Sequence, residues 1–210
     1  SCRNERSIGK NKRTVIKCIM IKKGKCIILS APSGSGKTTL VKHLLSFKEL
    51  NLVFSISATT REKRIGEIPD KDYYFIDKNE FEEKILNKEF IEYEEVYNGI
   101  FYGSLKNKVE NLLKNNNVVF DIDVEGGIKL KKVFKDDALS IFVKPPSLES
   151  LKKRLIKRNK DSKKSILNRL IKSKHELIRA NNFDKILIND DLDLAKKKAL
   201  KIVKEYLDFD

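Results

Sequence analysis

The segment that most constrains the fold of this chain lies at residues 26–45 and reads CIILSAPSGSGKTTLVKHLL. Residues 26–30 form a short apolar run, which predicts a buried strand of a parallel sheet. The glycine-rich loop APSGSGKT follows, and apolar residues then recur at helical spacing in TTLVKHLL. A strand, a glycine-rich loop ending in Lys-Thr and a helix, in this order, are the context that a phosphate-binding P-loop requires. The segment therefore predicts an α/β fold that binds a nucleoside triphosphate.

The residue types of this loop fit the chemistry of a bound triphosphate. Gly34 and Gly36 allow the backbone to wrap with its N–H groups pointing inward, and the start of the helix adds a positive dipole end. Lys37 supplies a mobile positive charge for the β- and γ-phosphates, and the Thr38 hydroxyl is a ligand for Mg²⁺. Ala31 replaces the first glycine of the usual GxxxxGK[ST] pattern. The residues predicted to bind the triphosphate here are Ser33, Gly34, Ser35, Gly36, Lys37, Thr38 and Thr39.

A second unusual stretch, SATTREKRIGEIPDKDYYFI at residues 57–76, follows another candidate core strand, NLVFSIS. It is too polar for a core strand and too irregular for a helix. A loop at the end of a strand in an α/β sheet is where ligands bind. Arg61 and Arg64 can grip a phosphate bidentately, and Tyr73 can add a hydroxyl donor. A second phosphate site beside an ATP site predicts a phosphoryl acceptor.

Acidic residues further along the chain predict a metal site. The run VVFDIDVEGG contains Asp121 and Asp123. An acid at the end of a strand near a P-loop commonly organises Mg²⁺, directly or through water. Thr38 and Asp121 are therefore the candidate metal ligands. Taken alone, Glu92 and Asp123 fit solvated surface charge better than a binding role.

Composition limits the class of protein. The 210 residues suffice for one domain with a substantial core, and 40% hydrophobic with 36% charged residues is typical of a soluble globular chain. No apolar run approaches the roughly 18 residues of a membrane span. Cys2, Cys18 and Cys26 lack metal-ligand spacing, which favours inert thiols in a reduced intracellular compartment. The cytoplasm is the predicted location.

The net charge of +15 is concentrated in two segments. Residues 1–25 carry a net charge of +8 and residues 152–174 a net charge of +10, so the remainder has a net charge of −3. A uniformly basic nucleic-acid-binding surface is therefore not expected. The first segment predicts a disordered extension, with a targeting peptide as the alternative. The second fits an amphipathic helix with one apolar stripe.

Several motifs occur in an order that resembles the guanylate kinase family. They are APSGSGKTTL, S-x-S-x-TTRxxRxGE-x-x-x-KDYYF, EFIE, FYGS and VVFDIDVEGG, followed by KPPSLESLKKRLIKRN and ILINDDLDLA. The resemblance spans roughly residues 25–208, and TTRxxRxGE with KDYYF and FYGS is much more specific than a P-loop alone. It implies an enzyme that moves the γ-phosphoryl group of ATP to GMP, and also to dGMP, with Mg²⁺ as cofactor. The implied partners are ATP and GMP, without nucleic acid or membrane, and the implied state is a monomer.

The resemblance also implies roles for individual residues. The implied ligands of the GMP phosphate are Arg61, Arg64, Tyr73 and Tyr102. The other implied GMP-binding residues are Ser57, Glu92, Gly103, Ser104 and Asp123. The arginines of a lid over ATP are Arg154, Arg158 and Arg169, which join Lys37 and Arg61 as the implied catalytic residues. Asn189 matches a position near the adenine, and Asn159 stands where the family often has glycine.

A physical argument supports the implied role of Glu92. Guanine presents two adjacent donors, N1–H and the N2 amine, and one carboxylate can accept hydrogen bonds from both. Adenine has an acceptor at N1 and no N2 amine, so it would leave the carboxylate unpaired. Mismatches of this kind discriminate by a factor of about 10⁴ where a site is built around a hydrogen bond. We therefore expect GMP to be preferred over AMP.

The alternation of elements predicts a parallel P-loop sheet covered by helices on both faces. The predicted strands are 26–30, 52–57, 117–122, 139–144 and 185–188, and the predicted helices are 37–47, 79–88, 104–115, 124–134, 147–157, 164–180 and 191–206. One guanylate-kinase-like domain at 25–210 follows the extension at 1–24. A core at 25–57 and 101–210 carries a small mixed GMP-binding insertion at about 58–100 and a lid at about 158–164. The insertion and the lid have little apolar surface to hold them closed, so an open form is expected without substrates.

Two other functions fit parts of the pattern. Scaffold proteins carry non-catalytic guanylate-kinase-like domains that bind phosphopeptides. Such domains usually have degraded P-loops, whereas Lys37, Thr38 and the three lid arginines are all present here. Another P-loop kinase, or a nucleic-acid-binding NTPase, would share the P-loop but not the combination of TTRxxR with FYGS.

Overall fold

The computed structural model describes residues 24–97, 99–157 and 163–208. The strands are β1 (Cys26–Ser30), β2 (Leu52–Phe54), β3 (Ala58–Thr59), β4 (Tyr74–Phe75), β5 (Phe90–Tyr97), β6 (Ile100–Leu105), β7 (Asn117–Ile122), β8 (Ala138–Lys144) and β9 (Lys185–Ile188). The helices are α1 (Lys37–Leu45), α2 (Lys78–Leu86), α3 (Lys106–Leu113), α4 (Val124–Phe134), α5 (Leu148–Lys157), α6 (Lys163–Ile178) and α7 (Leu192–Leu207). Short 3₁₀ turns lie at Lys48–Leu50, Lys135–Asp137 and Arg179–Asn182.

The larger sheet is parallel and has the strand order β2-β7-β1-β8-β9. Strand β1 lies at its centre, and every residue of β1 is buried. Ile27 and Leu29 pack on one face with residues of α1 and α7, while Cys26 and Ile28 pack on the other with residues of α3. This two-sided burial explains why the strand reads as a continuous apolar run rather than an alternating one. The predicted fold class is confirmed.

The smaller sheet is mixed and has the order β4-β3-β6-β5, with α2 packed against it. Phe81 of α2 is fully buried and stacks on Phe90 of β5 with ring centroids 4.4 Å apart. Asp77 accepts a hydrogen bond from the Glu80 backbone N–H and so caps the start of α2. This small core gives the second sheet its own support beside the larger one.

Two predicted elements differ from the structure where the chain passes between the sheets. The strand predicted at 52–57 ends at Phe54, and residues 58–59 join the smaller sheet instead. The helix predicted at 104–115 begins at Lys106, because Ser104 and Leu105 still pair with β5. The smaller sheet therefore continues to residue 105, beyond the boundary predicted for the insertion.

Several predictions concern residues that the structure does not describe. The predicted extension, apart from Gly24, and residues 158–162 of the predicted lid lie outside the described residues. Arg158 and Asn159 are among them. Within the described ranges, no helix has the length and apolar character needed to cross a membrane.

Candidate active site

The P-loop connects the carboxyl end of β1 to the start of α1. Gly34 and Gly36 adopt φ angles of 95° and 90°, which L-residues with a side chain rarely adopt. A Cβ at Gly36 would also lie 2.4 Å from Asn189 Nδ2, so a side chain there would displace the Asn189 amide. Ala31 is buried in the core and does not adopt a positive φ angle. The replacement of the first motif glycine by Ala31 therefore needs no backbone conformation that alanine disfavours.

Lys37, Thr38 and Asp121 meet where α1 begins beside the end of β7. Lys37 Nζ lies 2.7 Å from Asp121 Oδ1 and also donates to the carbonyl oxygen of Ile122. The Thr38 hydroxyl donates to Asp121 Oδ2 over 2.7 Å. Thr38 and Asp121 thus present two hard oxygen atoms side by side, which are the ligand types that Mg²⁺ prefers. Among the described residues, no group of three or more His, Cys, Asp or Glu side chains is placed to hold a metal ion.

Most of the predicted site residues line one cavity of about 380 Å³ between the two sheets. Those that line it are residues 33–39, Ser57, Arg64, Tyr73, Glu92, Tyr102, Gly103, Asp121, Asp123 and Arg169. Three further predicted residues, Arg61, Ser104 and Asn189, instead contact residues that line the cavity. Arg154 is one step further away, because it donates a hydrogen bond to the carbonyl oxygen of Asn189. The structure therefore brings the predicted ATP-binding and GMP-binding residues to one place.

Glu92 is a buried carboxyl group on β5 that faces this cavity. Its Oε1 accepts a hydrogen bond of 2.7 Å from the Ser104 hydroxyl, which lies opposite on β6. Burial raises the pKa of Glu92 from 4.5 to about 7, and the hydrogen bond from Ser104 only partly opposes this effect. Because Glu92 is buried, its interpretation as a solvated surface charge is wrong. When ionised, its carboxylate can only accept hydrogen bonds, which is the chemistry expected of a guanine ligand.

Asp123 has a structural role as well as a place in the cavity. Its side chain accepts a hydrogen bond of 2.8 Å from the Gly126 backbone N–H and caps the start of α4. Its backbone oxygen accepts a hydrogen bond of 3.0 Å from the Ser30 hydroxyl of β1. The cap holds the carboxylate in a fixed position at the edge of the cavity.

The predicted phosphate ligands of the smaller sheet form a cluster of arginines and tyrosines. Arg61 Nε donates to Tyr102 Oη over 3.1 Å, and the guanidinium group lies 5.2 Å from the centre of the Tyr73 ring. Burial alone would lower the pKa of Arg61, but hydrogen bonds to Glu67 and Tyr102 raise it above its usual value. Burial raises the pKa of Tyr73, which keeps its hydroxyl protonated as a donor. Arg64 reaches the cavity from the same loop.

The predicted lid and adenine residues brace the P-loop. Asn189 Nδ2 donates to the carbonyl oxygen of Ser35 over 2.7 Å, and Arg154 Nη2 donates to the carbonyl oxygen of Asn189 over 2.9 Å. Arg169 Nη1 lies 3.4 Å from Ser33 Oγ. Within the described chain, Ser35 Oγ and Asn189 Oδ1 are buried without a hydrogen-bond partner. Arg158 lies outside the described residues.

Three further residues belong to the site although the sequence analysis did not select them. Glu67 accepts two hydrogen bonds from Arg61. Lys172 and Glu176 line the cavity. Lys172 Nζ lies 3.7 Å from Glu176 Oε1, and burial raises the pKa of Glu176 to about 7, with Lys172 opposing the shift. Helical spacing was an available signal, since Lys172 and Glu176 follow Arg169 by three and seven positions. Glu67 lies within the TTRxxRxGE motif itself.

The fold and the cavity define a P-loop nucleotide kinase. A P-loop at the carboxyl edge of a parallel sheet shares one cavity with a cluster of arginines, tyrosines and a buried carboxyl group. Residues 23–208 match the sequence model of a family described as guanylate kinase. The chain belongs to the guanylate kinase family.

Individual proteins that are similar to this chain are also guanylate kinases. A guanylate kinase from Bacteroides fragilis is 51% identical over 187 residues, which cover 89% of this chain and 91% of that protein. A guanylate kinase from Porphyromonas gingivalis is 46% identical, over 87% of this chain and 98% of that protein. The crystal structure of guanylate kinase from Anaplasma phagocytophilum superposes with a TM-score of 0.71 at 31% identity, covering 88% of this chain and 86% of that one.

Proposed function

We propose that this chain transfers the γ-phosphoryl group of ATP to GMP, and also to dGMP, giving ADP and GDP or dGDP. The observation that carries the proposal is the position of Glu92 in the same cavity as the P-loop. One nucleotide bound on the P-loop and a second bound against Glu92 would place a donor and an acceptor phosphate in one cavity. Phosphoryl transfer depends mainly on such positioning and on charge stabilisation.

On the donor side, the P-loop N–H groups and the start of α1 would hold the phosphates of ATP. Lys37 lies beside Asp121 and would turn toward the β- and γ-phosphates of ATP. Its charge would stabilise the negative charge that develops on the transferred group. Asn189, which donates a hydrogen bond to the carbonyl oxygen of Ser35 in the P-loop, would lie near the adenine of ATP.

Thr38 and Asp121 would hold Mg²⁺, directly or through water. When bound, Mg²⁺ neutralises negative charge on the β- and γ-phosphate oxygens. Two protein oxygens suit Mg²⁺ because it usually takes its other ligands from phosphates and water. The Thr38 hydroxyl donates to Asp121 Oδ2 over 2.7 Å, so the two oxygen atoms lie side by side, which supports this assignment.

On the acceptor side, Arg61, Arg64, Tyr73 and Tyr102 would bind the GMP phosphate. They are two forked cations and two hydroxyl donors, which match the acceptor-only oxygens of a phosphate. The base would lie toward Ser57, Glu92, Gly103, Ser104 and Asp123. The hydrogen bond from Ser104 fixes one edge of the Glu92 carboxyl group and orients it for the two donors of guanine.

The arginines of α5, α6 and the intervening segment would complete the site. Arg169 already reaches the P-loop side of the cavity, while Arg154 contacts Asn189. Arg158 is assigned to the same role from the resemblance alone. We further propose that the insertion at about 58–100 closes on GMP and the lid at about 158–164 closes on ATP, because transfer must exclude water.

All the residues proposed as ligands come from one chain, so we propose that the protein acts as a monomer. We also propose that it acts in the cytoplasm, with ATP and GMP as its partners and without nucleic acid or membrane. A non-catalytic phosphopeptide module is not favoured. Lys37, Thr38 and Asp121 are arranged together, and a module that only binds a phosphopeptide has no need of them.

A coupled ADP-release assay tests the proposal. ATP with Mg²⁺ would be offered with GMP, dGMP, AMP, CMP or UMP, and Lys37→Ala would serve as the inactive control. We expect fast turnover of GMP, slower turnover of dGMP and poor turnover of the others. Comparable rates with AMP and GMP would contradict the guanine assignment, and no turnover with any acceptor would favour a binding module.

A further inference from the structure

Glu67 connects the two arginines of the proposed phosphate site. Its two carboxylate oxygens accept hydrogen bonds from Arg61 Nη1 and Nη2, over 3.0 Å and 2.9 Å. Oε2 also accepts a hydrogen bond of 2.8 Å from the backbone N–H of Arg64. The side chains of Arg61 and Glu67 are only 11% and 19% exposed, so water competes weakly for this contact. One carboxylate therefore fixes the guanidinium group of the first arginine and the backbone of the second.

The contact also decides which edge of Arg61 is available. Within the described part of the chain, four of its five N–H groups donate to protein atoms, namely Glu67, the carbonyl oxygen of Glu62 and Tyr102 Oη. The remaining N–H lies on Nη2, on the edge that Nη2 shares with Nε. Because Nε already faces the Tyr102 hydroxyl, that edge points toward another proposed phosphate ligand. The opposite end of the fork is occupied by Glu67.

We propose that Glu67 is a positioning residue for the acceptor phosphate, acting through Arg61. It holds the end of the guanidinium fork, so that the edge beside Tyr102 stays directed at the phosphate, and it fixes the loop that carries Arg64. The inference rests on the proposed role of Arg61 as a phosphate ligand. Glu67 does not touch the substrate in this account.

The opposite interpretation is that Glu67 competes with the phosphate and must leave when GMP binds. The geometry argues against it. Departure of the carboxylate would break three hydrogen bonds, one of them to the Arg64 backbone, and would release the loop at the moment when it must hold the ligand. Since the Nη2–Nε edge remains on the other side of the fork, phosphate binding does not require that departure.

A double-mutant cycle tests the proposal. The variants are Glu67→Gln, Arg61→Lys and the pair together, with Glu62→Gln as the matched control because that glutamate is exposed on the same loop. Glutamine offers one acceptor oxygen in place of two and turns an NH₂ group toward the arginine. For each variant, KM for GMP, KM for ATP, kcat and the thermal midpoint would be measured. Glu67→Asp, which keeps the charge on a shorter side chain, replaces Glu67→Gln in the cycle if the latter does not fold.

We expect Glu67→Gln to raise KM for GMP about 10- to 100-fold, the effect of losing charged hydrogen bonds, with KM for ATP changed less than about twofold. In the Arg61→Lys background, the same change should alter KM for GMP less than about threefold. The fork that Glu67 positions is already lost there, and the remaining oxygen of glutamine can still accept from the Arg64 backbone N–H. Glu62→Gln should behave as wild type.

Three results would overturn the inference. Effects that multiply in the double variant would mean that Glu67 acts independently of Arg61. A lower KM for GMP in Glu67→Gln would identify Glu67 as a competitor. Equal changes in the GMP and ATP constants, with a lowered thermal midpoint, would indicate a general structural role. Wild-type kinetics for Arg61→Lys would instead remove the assigned role of Arg61, and the role of Glu67 with it.

Discussion

Replacing Glu92 with glutamine should make the protein more stable and a worse enzyme. Glu92 is 5% exposed, and burial raises the pKa of its carboxyl group from 4.5 to about 7. A raised carboxyl pKa means that the folded state binds the proton more tightly than the unfolded state, so stability falls as the pH rises from about 4.5 through about 7. Each pKa unit corresponds to about 1.4 kcal/mol, so the ionised form costs the folded protein about 3 kcal/mol.

Glutamine removes this cost because it does not ionise, and its carbonyl oxygen can still accept the hydrogen bond from Ser104. Its NH₂ group needs a partner in the same buried place, which offsets part of the gain. We therefore expect Glu92→Gln to raise the free energy of unfolding by about 1–3 kcal/mol at pH 8, and by little at pH 5. KM for GMP should rise about 100-fold at pH 8, since the amide cannot accept from both guanine donors.

Urea unfolding at pH 5 and pH 8, together with steady-state kinetics for GMP and ATP, measures both effects. Glu83→Gln on the exposed side of α2 is the matched control, and neither quantity should change in it. The reasoning is refuted if Glu92→Gln keeps wild-type KM for GMP. It is also refuted if the difference in unfolding free energy between variant and wild type is the same at both pH values, because the argument depends on ionisation of the buried carboxyl group.

Further predictions concern chemistry, the phosphate ligands, pH and motion. Lys37→Ala should nearly abolish transfer with an unchanged circular dichroism spectrum, and chelation of Mg²⁺ should stop the wild-type enzyme; activity without Mg²⁺ would contradict the mechanism. Arg61→Lys, which keeps the charge but loses the planar fork, should lower kcat/KM for GMP by about 1–3 kcal/mol, and wild-type kinetics would make Arg61 a bystander. KM for GMP should rise as the pH falls below about 7, because Glu92 then becomes protonated, and this rise should be smaller in Glu92→Gln. GMP should protect residues 58–100 from hydrogen exchange and leave 117–122 nearly unchanged; equal exposure of 58–100 with and without GMP would refute closure.

The sequence by itself determined the elements that depend on local pattern. The apolar run of β1 and the helical spacing after it placed the P-loop, because the period of buried residues and the glycine positions are properties of neighbouring residues. The order of motifs also selected residues that the structure brings together at the cavity, including Arg61, Tyr102 and Glu92, since each occurs in a short specific pattern. The errors fell at Phe54 and Ser104, where the chain passes between sheets and pairing with a distant strand overrides the local pattern.

Only the tertiary structure decided which side chains come into contact and how their pKa values are shifted. Asn189 donates a hydrogen bond to Ser35, which lies 154 positions away in the sequence, and no pattern of neighbouring residues can predict such a contact. The pKa of Glu92 depends on burial by strands and on the hydrogen bond from Ser104, neither of which composition reveals. Glu67 was visible in its motif, but its contact with Arg61 depends on the path of the loop between them. Local sequence sets the element and the residue type, whereas burial and partner choice follow from the packing of elements that are distant in the chain.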